Sequence, residues 1–296
     1  MKDNGPKVSI GLPVYNGEGF LAEAIESVLS QTYQDLELVI SDNASTDKTE
    51  EICRAFAEKD DRVRYFRSEK NYGASWNYNQ TFELSKGEYF RWHAADDVLE
   101  PYLVEKSVEV LDKNPEVVLV FSWVQDINEA GEPVQLKKSG VGSRLPLPHQ
   151  RFKGLSTVKP AFNCEEVFGM ARRALLAKTK LIAPYSDSDR TLLAELGLYG
   201  PFYEIEEPLF LHRLHDKGSV VVNPDRQSRT AWFDTSKADK LVFPSWRQLG
   251  ELLSVIWRTP IGWQERLYCY GHMLYWIKRR RVHLRKDLVW AIRRIG

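Results

Sequence analysis

The sequence predicts an α/β protein on a mostly parallel sheet, with a different, helical part at its C-terminal end. Three observations carry that expectation. Apolar runs of strand length alternate with amphipathic helical patterns over residues 1–125, and such alternation argues for parallel strands joined by helices. Three of the runs end in polar residues: Val8-Ser9-Ile10-Gly11-Leu12 in Pro13-Val14-Tyr15-Asn16, Leu36-Glu37-Leu38-Val39-Ile40-Ser41 in Asp42, and Tyr89-Phe90-Arg91-Trp92-His93-Ala94-Ala95 in Asp96-Asp97. Open α/β sheets bind ligands beyond the carboxyl ends of their strands, so three polar ends suggest one site. The alternation is then lost, and a Trp-rich, basic stretch runs from about Asn223 to the end.

The elements follow in order. Val8 to Leu12 is a buried-type strand. After the Asn16-Gly17 turn, Phe20, Leu21, Ala24, Ile25, Val28 and Leu29 recur at helical spacing. Leu36 to Ser41 is the second strand. Asn43-Ala44-Ser45-Thr46-Asp47 offers N-caps for a helix containing Ile52, Ala55 and Phe56. Arg62 to Arg67 reads as a third strand and Ala74 to Leu84 as a helix, before the strand that ends at Asp96. Pro101 opens a helix with Leu103, Ser107, Val108 and Leu111, and Val117 to Trp123 is another strand. From Asp126 to Pro160 periodicity fails: Glu129-Ala130-Gly131-Glu132-Pro133 is turn-like, and Lys137 to Lys159 reads as a long loop of the kind usually kept for function. Patterning returns near Val167, with a helix from Arg190 to Leu198.

The 296 residues, 43% of them apolar, suit an ordinary globular protein. The formal charge is +0, but Lys278, Arg279, Arg280, Arg281, Arg285, Lys286, Arg293 and Arg294 face only Asp287 in the last stretch, a net +7 there against −7 elsewhere. Cys53, Cys164 and Cys269 form no metal-ligand or CxxC spacing, so reduced thiols are expected. No apolar h-region opens the chain, and no apolar run approaches the ~18 residues of a spanning helix. A cytoplasmic protein is expected, free or against the inner face of a membrane. The Asp96-Asp97 pair suggests a hard divalent cation, Mg²⁺ or Mn²⁺, shared with a substrate's phosphates.

Several motifs in order resemble the family 2 glycosyltransferases. They are Val8 to Gly17; Ser27-Val28-Leu29-Ser30-Gln31-Thr32-Tyr33; Glu37 to Asp47; Asn71-Tyr72-Gly73 with Asn79; and Gly87-Glu88-Tyr89 leading to Ala95-Asp96-Asp97 and Pro101. The resemblance is dense over residues 7–125, thinner to 222 and absent beyond. It implies a GT-A fold, a Rossmann-like mostly parallel central sheet flanked by helices, here with a helical C-terminal extension. The expected division is a nucleotide-sugar-binding half, 1–125, an acceptor-binding half of the same domain, 126–222, and an aromatic, basic helical extension, 223–296. Inverting transfer of a sugar from a UDP- or dTDP-type donor to a hydroxyl of a glycan or lipid-linked glycan is implied, in bacterial-type surface polysaccharide or glycoconjugate assembly.

The resemblance also assigns residues. Pro13, Tyr15, Asn16 and Glu18 fall where the family places the nucleobase, and a Tyr ring can stack there; a buried turn tyrosine is the alternative. Asp42 matches the carboxylate that accepts a uracil-type N3–H, against a plain N-cap or Asx-turn role. Asn71, Gly73 and Asn79 match the family's N-x-G segment, which is equally a turn before a helix. Asp96-Asp97 matches the metal motif, with Asp97 as the direct ligand and Asp96 for ribose or metal-bound water. Many relatives have another acid at the position of Ala94. Asp189 matches the base that deprotonates the acceptor hydroxyl, with Asp187 as second choice and helix capping as the alternative for both; Ser188 stands where the family often has Glu. In His212-Arg213-Leu214-His215, His215 is expected to complete the metal shell and Arg213 to hold diphosphate oxygens.

In residues 257–296, Trp257, Trp263, Tyr268, Tyr270, Tyr275, Trp276 and Trp290 are interleaved with bases. That composition suits peripheral contact with an anionic membrane, or packing against the core or a second subunit in a homodimer; nucleic acid is not expected. Two other functions compete. A sugar-phosphate nucleotidyltransferase needs a basic Gly-rich loop after the first strand, and Pro13 to Gly19 has no Arg or Lys. A catalytically impaired binding module is supported only by Ala94 and Ser188.

Overall fold

The computed structural model describes residues 5–138, 142–157 and 164–295. The first strand, β1 (Val8–Val14), leads through a turn to α1 (Leu21–Leu29), then β2 (Leu36–Asp42), α2 (Thr49–Lys59), β3 (Val63–Arg67), α3 (Ala74–Leu84) and β4 (Tyr89–Trp92). These four strands stand in the order β3-β2-β1-β4, all parallel, as the alternation predicts. Every residue of β1 and β2 is buried, which is why they read as continuous apolar runs rather than as alternating ones.

The sheet continues through the rest of the chain. After β5 (Val98–Leu99) and α4 (Leu103–Lys113) come β6 (Leu119–Ile127), β7 (Pro133–Lys137), α5 (Pro148–Ser156), β8 (Met170–Arg172) and the short α6 (Arg173–Leu176). Then follow α7 (Ser188–Tyr199), β9 (Phe202–Arg213), α8 (Ser219–Val222), α9 (Arg226–Phe233), α10 (Pro244–Arg258) and α11 (Trp263–Ile295). The path is β3-β2-β1-β4-β8-β6-β9-β5, with β7 paired to β6. Strand β8 is antiparallel to both β4 and β6, whereas β6 and β9 run parallel. The expected boundary at residue 125 falls inside β6, so one sheet spans both halves.

Helices cover both faces. On one face Ile10, Leu38 and Tyr89 pack with Ile25, Val28, Val104 and Leu111 of α1 and α4. On the other, Phe82, Phe90 and Trp92 pack with residues of α5, α7, α10 and α11, among them Phe152, Leu193, Leu252 and Trp276. The extension therefore closes the second core rather than hanging from it.

The expected loop over Lys137–Lys159 is corrected in its described part. Strand β7 pairs antiparallel with β6, and α5 occupies Pro148–Ser156. Val134-Gln135-Leu136-Lys137 does alternate, but for only four residues after a Pro, and Val134 and Leu136 are exposed rather than packed on a core. Helix α5 buries a charge: Arg151 donates to the carbonyls of Gly197, Leu145 and Pro146 at 2.7 Å. Lys159 and Pro160 lie outside the described residues. The expected strand up to Ala95 is shorter, stopping at Trp92, and β9 carries Glu204, Glu206 and Glu207, a composition that concealed it.

Candidate active site

The carboxyl ends of β1, β2 and β4 open on the same edge of the sheet, as their parallel pairing requires. At the end of β1, Tyr15 leaves the core and stands 49% exposed, while Pro13 stays buried in the strand. Asn16, at φ 52°, accepts from the Thr46 amide at 2.8 Å, and its own amide donates to Ser45 Oγ. Glu18 accepts from the Lys48 amide at 3.1 Å. These two side chains pin the β1–α1 turn to the loop after β2.

Asp42 has no exposed surface. One carboxylate oxygen accepts from the Ser45 amide at 2.8 Å, the other from the Tyr65 hydroxyl at 2.8 Å, with Arg67 Nε at 3.3 Å. The Asx-turn geometry is thus present, with a tyrosine and an arginine added. Next to it, the Asn43 amide donates to Asn71 Oδ1 and the Gly73 carbonyl and accepts from the Tyr72 amide. Asn71 also accepts from the Gly73 amide. Gly73 sits at φ 94°, where a Cβ would lie 2.6 Å from the Phe233 carbonyl oxygen, so glycine here permits both the backbone angle and close passage of the extension. Asn79 binds both backbone groups of Ile182 at 3.0 Å and so fixes the loop that leads to Asp187 and Asp189.

The Asp96-Asp97 turn follows β4. It lies beside the end of β9 because β5 pairs antiparallel with β9, Val98 opposite Leu211. Asp97 is buried and accepts from the Arg213 amide at 2.9 Å. Burial first, then the neighbouring Asp96 charge, pushes its carboxyl well above the usual range. Asp96 is more open and lies 2.8 Å from His215 Nε2, an interaction that raises the imidazole pKa. Phe20 packs edge-on against that imidazole at 5.0 Å.

Arg213 does not face the open site. Its guanidinium donates to the carbonyls of Asp96, Asn128 and Glu129 and to Glu23 at 2.6 Å. The side chain expected to grip diphosphate oxygens instead knits the metal-motif turn to β9, because its donors are spent on protein acceptors.

Asp187 is the N-cap residue of α7 at φ 67°, and Asp189 lies in that helix's first turn. Asp187 pairs with Arg280 of α11 at 2.6 Å. Asp189 accepts the Arg190 amide at 2.7 Å. Burial, and then the Asp187 charge, raises its pKa to about 6, against the lowering by the Arg190 amide and guanidinium. Tyr78 of α3 ties the two ends together: burial raises its phenol pKa, and so do the charges of Asp96, Asp97 and Asp189. All three carboxylates are thus near enough to Tyr78 for their charges to be felt by its phenol.

The fit to a divalent cation rests on the aspartate pair. Two adjacent carboxylates, one of them buried, repel each other, and a cation would relieve that strain. Among the described residues no three His, Cys, Asp or Glu side chains form a group able to hold an ion alone. Asp96, Asp97 and His215 would therefore share it with substrate oxygens and water, as Mg²⁺ sites commonly do. Sequence reasoning missed Asn43, Tyr65, Arg67, Tyr78 and Arg280. Pairings across 23 to 93 positions leave no periodic trace.

The family model described as "Glycosyl transferase family 2" matches residues 9–179. An uncharacterized glycosyltransferase of Methanocaldococcus jannaschii is 30% identical over 233 residues, 77% of this chain and 78% of that protein. One from Rickettsia felis is 33% identical over 77% of this chain but only 38% of its own length. Among solved structures, residues 1–349 of S. aureus TarS with UDP-GlcNAc give a TM-score of 0.68 at 13% identity, covering 95% of this chain and 79% of that one. The mannosyltransferase PcManGT of Pyrobaculum calidifontis, in complex with GDP-Man and Mn²⁺, gives 0.51. These likenesses show the GT-A fold.

Proposed function

Because the chain belongs to glycosyl transferase family 2, and is a glycosyltransferase, we propose that it transfers a sugar, with inversion, from a UDP- or dTDP-type donor to a hydroxyl of a glycan or lipid-linked acceptor. One observation carries this reading: the buried Asp97 lies beside Asp96 at the carboxyl end of the parallel strands, with His215 2.8 Å from Asp96 and the Arg213 amide 2.9 Å from Asp97. Surface polysaccharide or glycoconjugate assembly is the setting such acceptors imply.

The nucleobase stacks on Tyr15. Asp42 has an acceptor position beyond its three contacts, but with no exposed surface it meets a base N3–H only once the Tyr65 and Arg67 side chains that cover it move aside. Asn16, Glu18, Asn71, Gly73 and Asn79 position the loops that frame the donor. Asp97, Asp96 and His215 would hold Mg²⁺ or Mn²⁺ where the donor binds. That ion supplies charge neutralisation for the departing nucleotide. Arg213 positions both aspartates through its backbone amide and guanidinium.

Asp189 accepts the proton of the acceptor hydroxyl as the hydroxyl oxygen bonds to the anomeric carbon and the bond to the diphosphate breaks. A base with a pKa of about 6 is mostly ionised at neutral pH yet still basic enough to take a proton in the transition state. Asp187 is held by Arg280 and is less free to do so. The test is donor turnover by purified protein: nucleotide diphosphate should appear from a nucleotide sugar with Mn²⁺ present. Pyrophosphate from a nucleoside triphosphate instead would overturn the reading.

A further inference from the structure

We propose that the outward face of α11 lies on an anionic lipid surface, while its inward face holds the catalytic loop. The helix is 33 residues, ~50 Å long at 1.5 Å per residue. Its inward side is spent on the core: Cys269, Met273, Trp276, Leu284 and Ala291 are buried, at helical spacing. From the same side Arg280 reaches Asp187.

The outward side is not what a solvated helix presents. Trp263 is 69% exposed, Leu274 72% and Ile292 71%, and Leu267 is exposed between them. Positions 263, 267, 274, 281, 285 and 292 are separated by four or seven residues, about one or two helical turns, so Arg281 and Arg285 lie on the same stripe as the apolar residues. Lys278 flanks it. Among the described residues no carboxylate pairs with Lys278, Arg281 or Arg285, whereas the lysines and arginines around the fold's interior are mostly paired. No helix of the described residues is long and apolar enough to cross a membrane.

A second copy of the chain fits this face poorly. The bases occupy the middle of α11, so self-pairing in either direction sets them against each other. An anionic bilayer suits it: aliphatic and Trp side chains enter the acyl boundary, and Arg and Lys meet headgroup phosphates. On the stripe itself only Trp263 is aromatic, and Leu267, Leu274 and Ile292 offer a nucleic acid no stacking platform. This placement does not depend on the glycosyl-transfer reading. Together with the glycosyl-transfer reading it favours a lipid-linked acceptor, because the Asp187–Asp189 loop would stand about one helix diameter, ~10 Å, above the headgroups.

The experiment is cosedimentation of the full chain with vesicles of phosphatidylcholine alone and of phosphatidylcholine with one-third phosphatidylglycerol, at low and high salt. Binding to the anionic vesicles should be at least tenfold stronger and should fall with salt. Lys278→Glu with Arg281→Glu and Arg285→Glu should lose at least tenfold, and Leu274→Ser should weaken binding separately, with helix content and donor-induced thermal shift unchanged in both. Equal binding to both vesicles, no loss in either variant, tighter binding to RNA than to vesicles, or a dimer that the triple substitution dissociates would overturn the proposal.

Discussion

Asp97 and Asp189 carry opposite chemical demands, and their surroundings set them apart. Asp97 is buried beside another carboxylate, an arrangement unfavourable to its charge until a cation binds. Asp97→Ala should therefore abolish Mn²⁺-dependent turnover, by about a thousandfold or more, and weaken donor binding measured with the ion present. Asp189→Asn keeps the shape and removes the base, so donor affinity should stay within about threefold while transfer falls by 10²–10⁴-fold. For the native protein, kcat/KM should decline below about pH 6, one proton at a time, as Asp189 protonates. The same group has the opposite sign for stability. Its folded pKa is raised, so the folded state keeps a proton that the unfolded chain releases above about pH 4. Its contribution to stability is full below that pH and is lost as pH rises towards 6. Both aspartates were legible in the sequence, one at a strand end and one before a helical pattern. The partners of Asp42 were not, since Tyr65 and Arg67 reach it only because β2 and β3 are neighbours.

At the scale of elements, the site depends on segments far from it in sequence. Gly73 starts α3 under the backbone of residues 233–234. Gly73→Ala would put a Cβ into that carbonyl at a positive φ, which should cost about 1–3 kcal/mol and lower Tm by a few degrees. Arg280 of α11 neutralises Asp187, whose charge raises the pKa of Asp189. Arg280→Met should leave the helix packed through its aliphatic stem, yet move the acidic limb of the kcat/KM profile to higher pH; an unmoved limb would mean that Arg280 only packs. The alternating elements β1 to α4 were readable because each buries a whole face or stripe. Elements α5, β7 and β9 were not, because α5 buries an arginine, β7 is five residues that start at a turn proline, and β9 carries three glutamates. Local pattern fails where tertiary contacts satisfy charges.

Across the whole molecule, the parts before and after residue 125 are joined by one sheet and by the C-terminal helices. Strand β6 runs through the expected division, and α10 and α11 pack on the core that includes α7. Removing the extension should thus destabilise the core around α5 and α7 and not only a membrane contact. Divalent cation and nucleotide sugar together should raise Tm by several degrees, more than either alone, because both bind only the folded chain. With Asp189 as the proposed base, the acceptor hydroxyl would arrive beside the first turn of α7. The most direct test of the central claim needs no acceptor beyond water. Proton NMR can follow the sugar first released from an α-linked UDP-sugar in the presence of Mn²⁺. Inverting chemistry with Asp189 as base predicts the β-anomer before mutarotation, and no release from Asp189→Asn. The α-anomer as first product, or unchanged release from that variant, would contradict it.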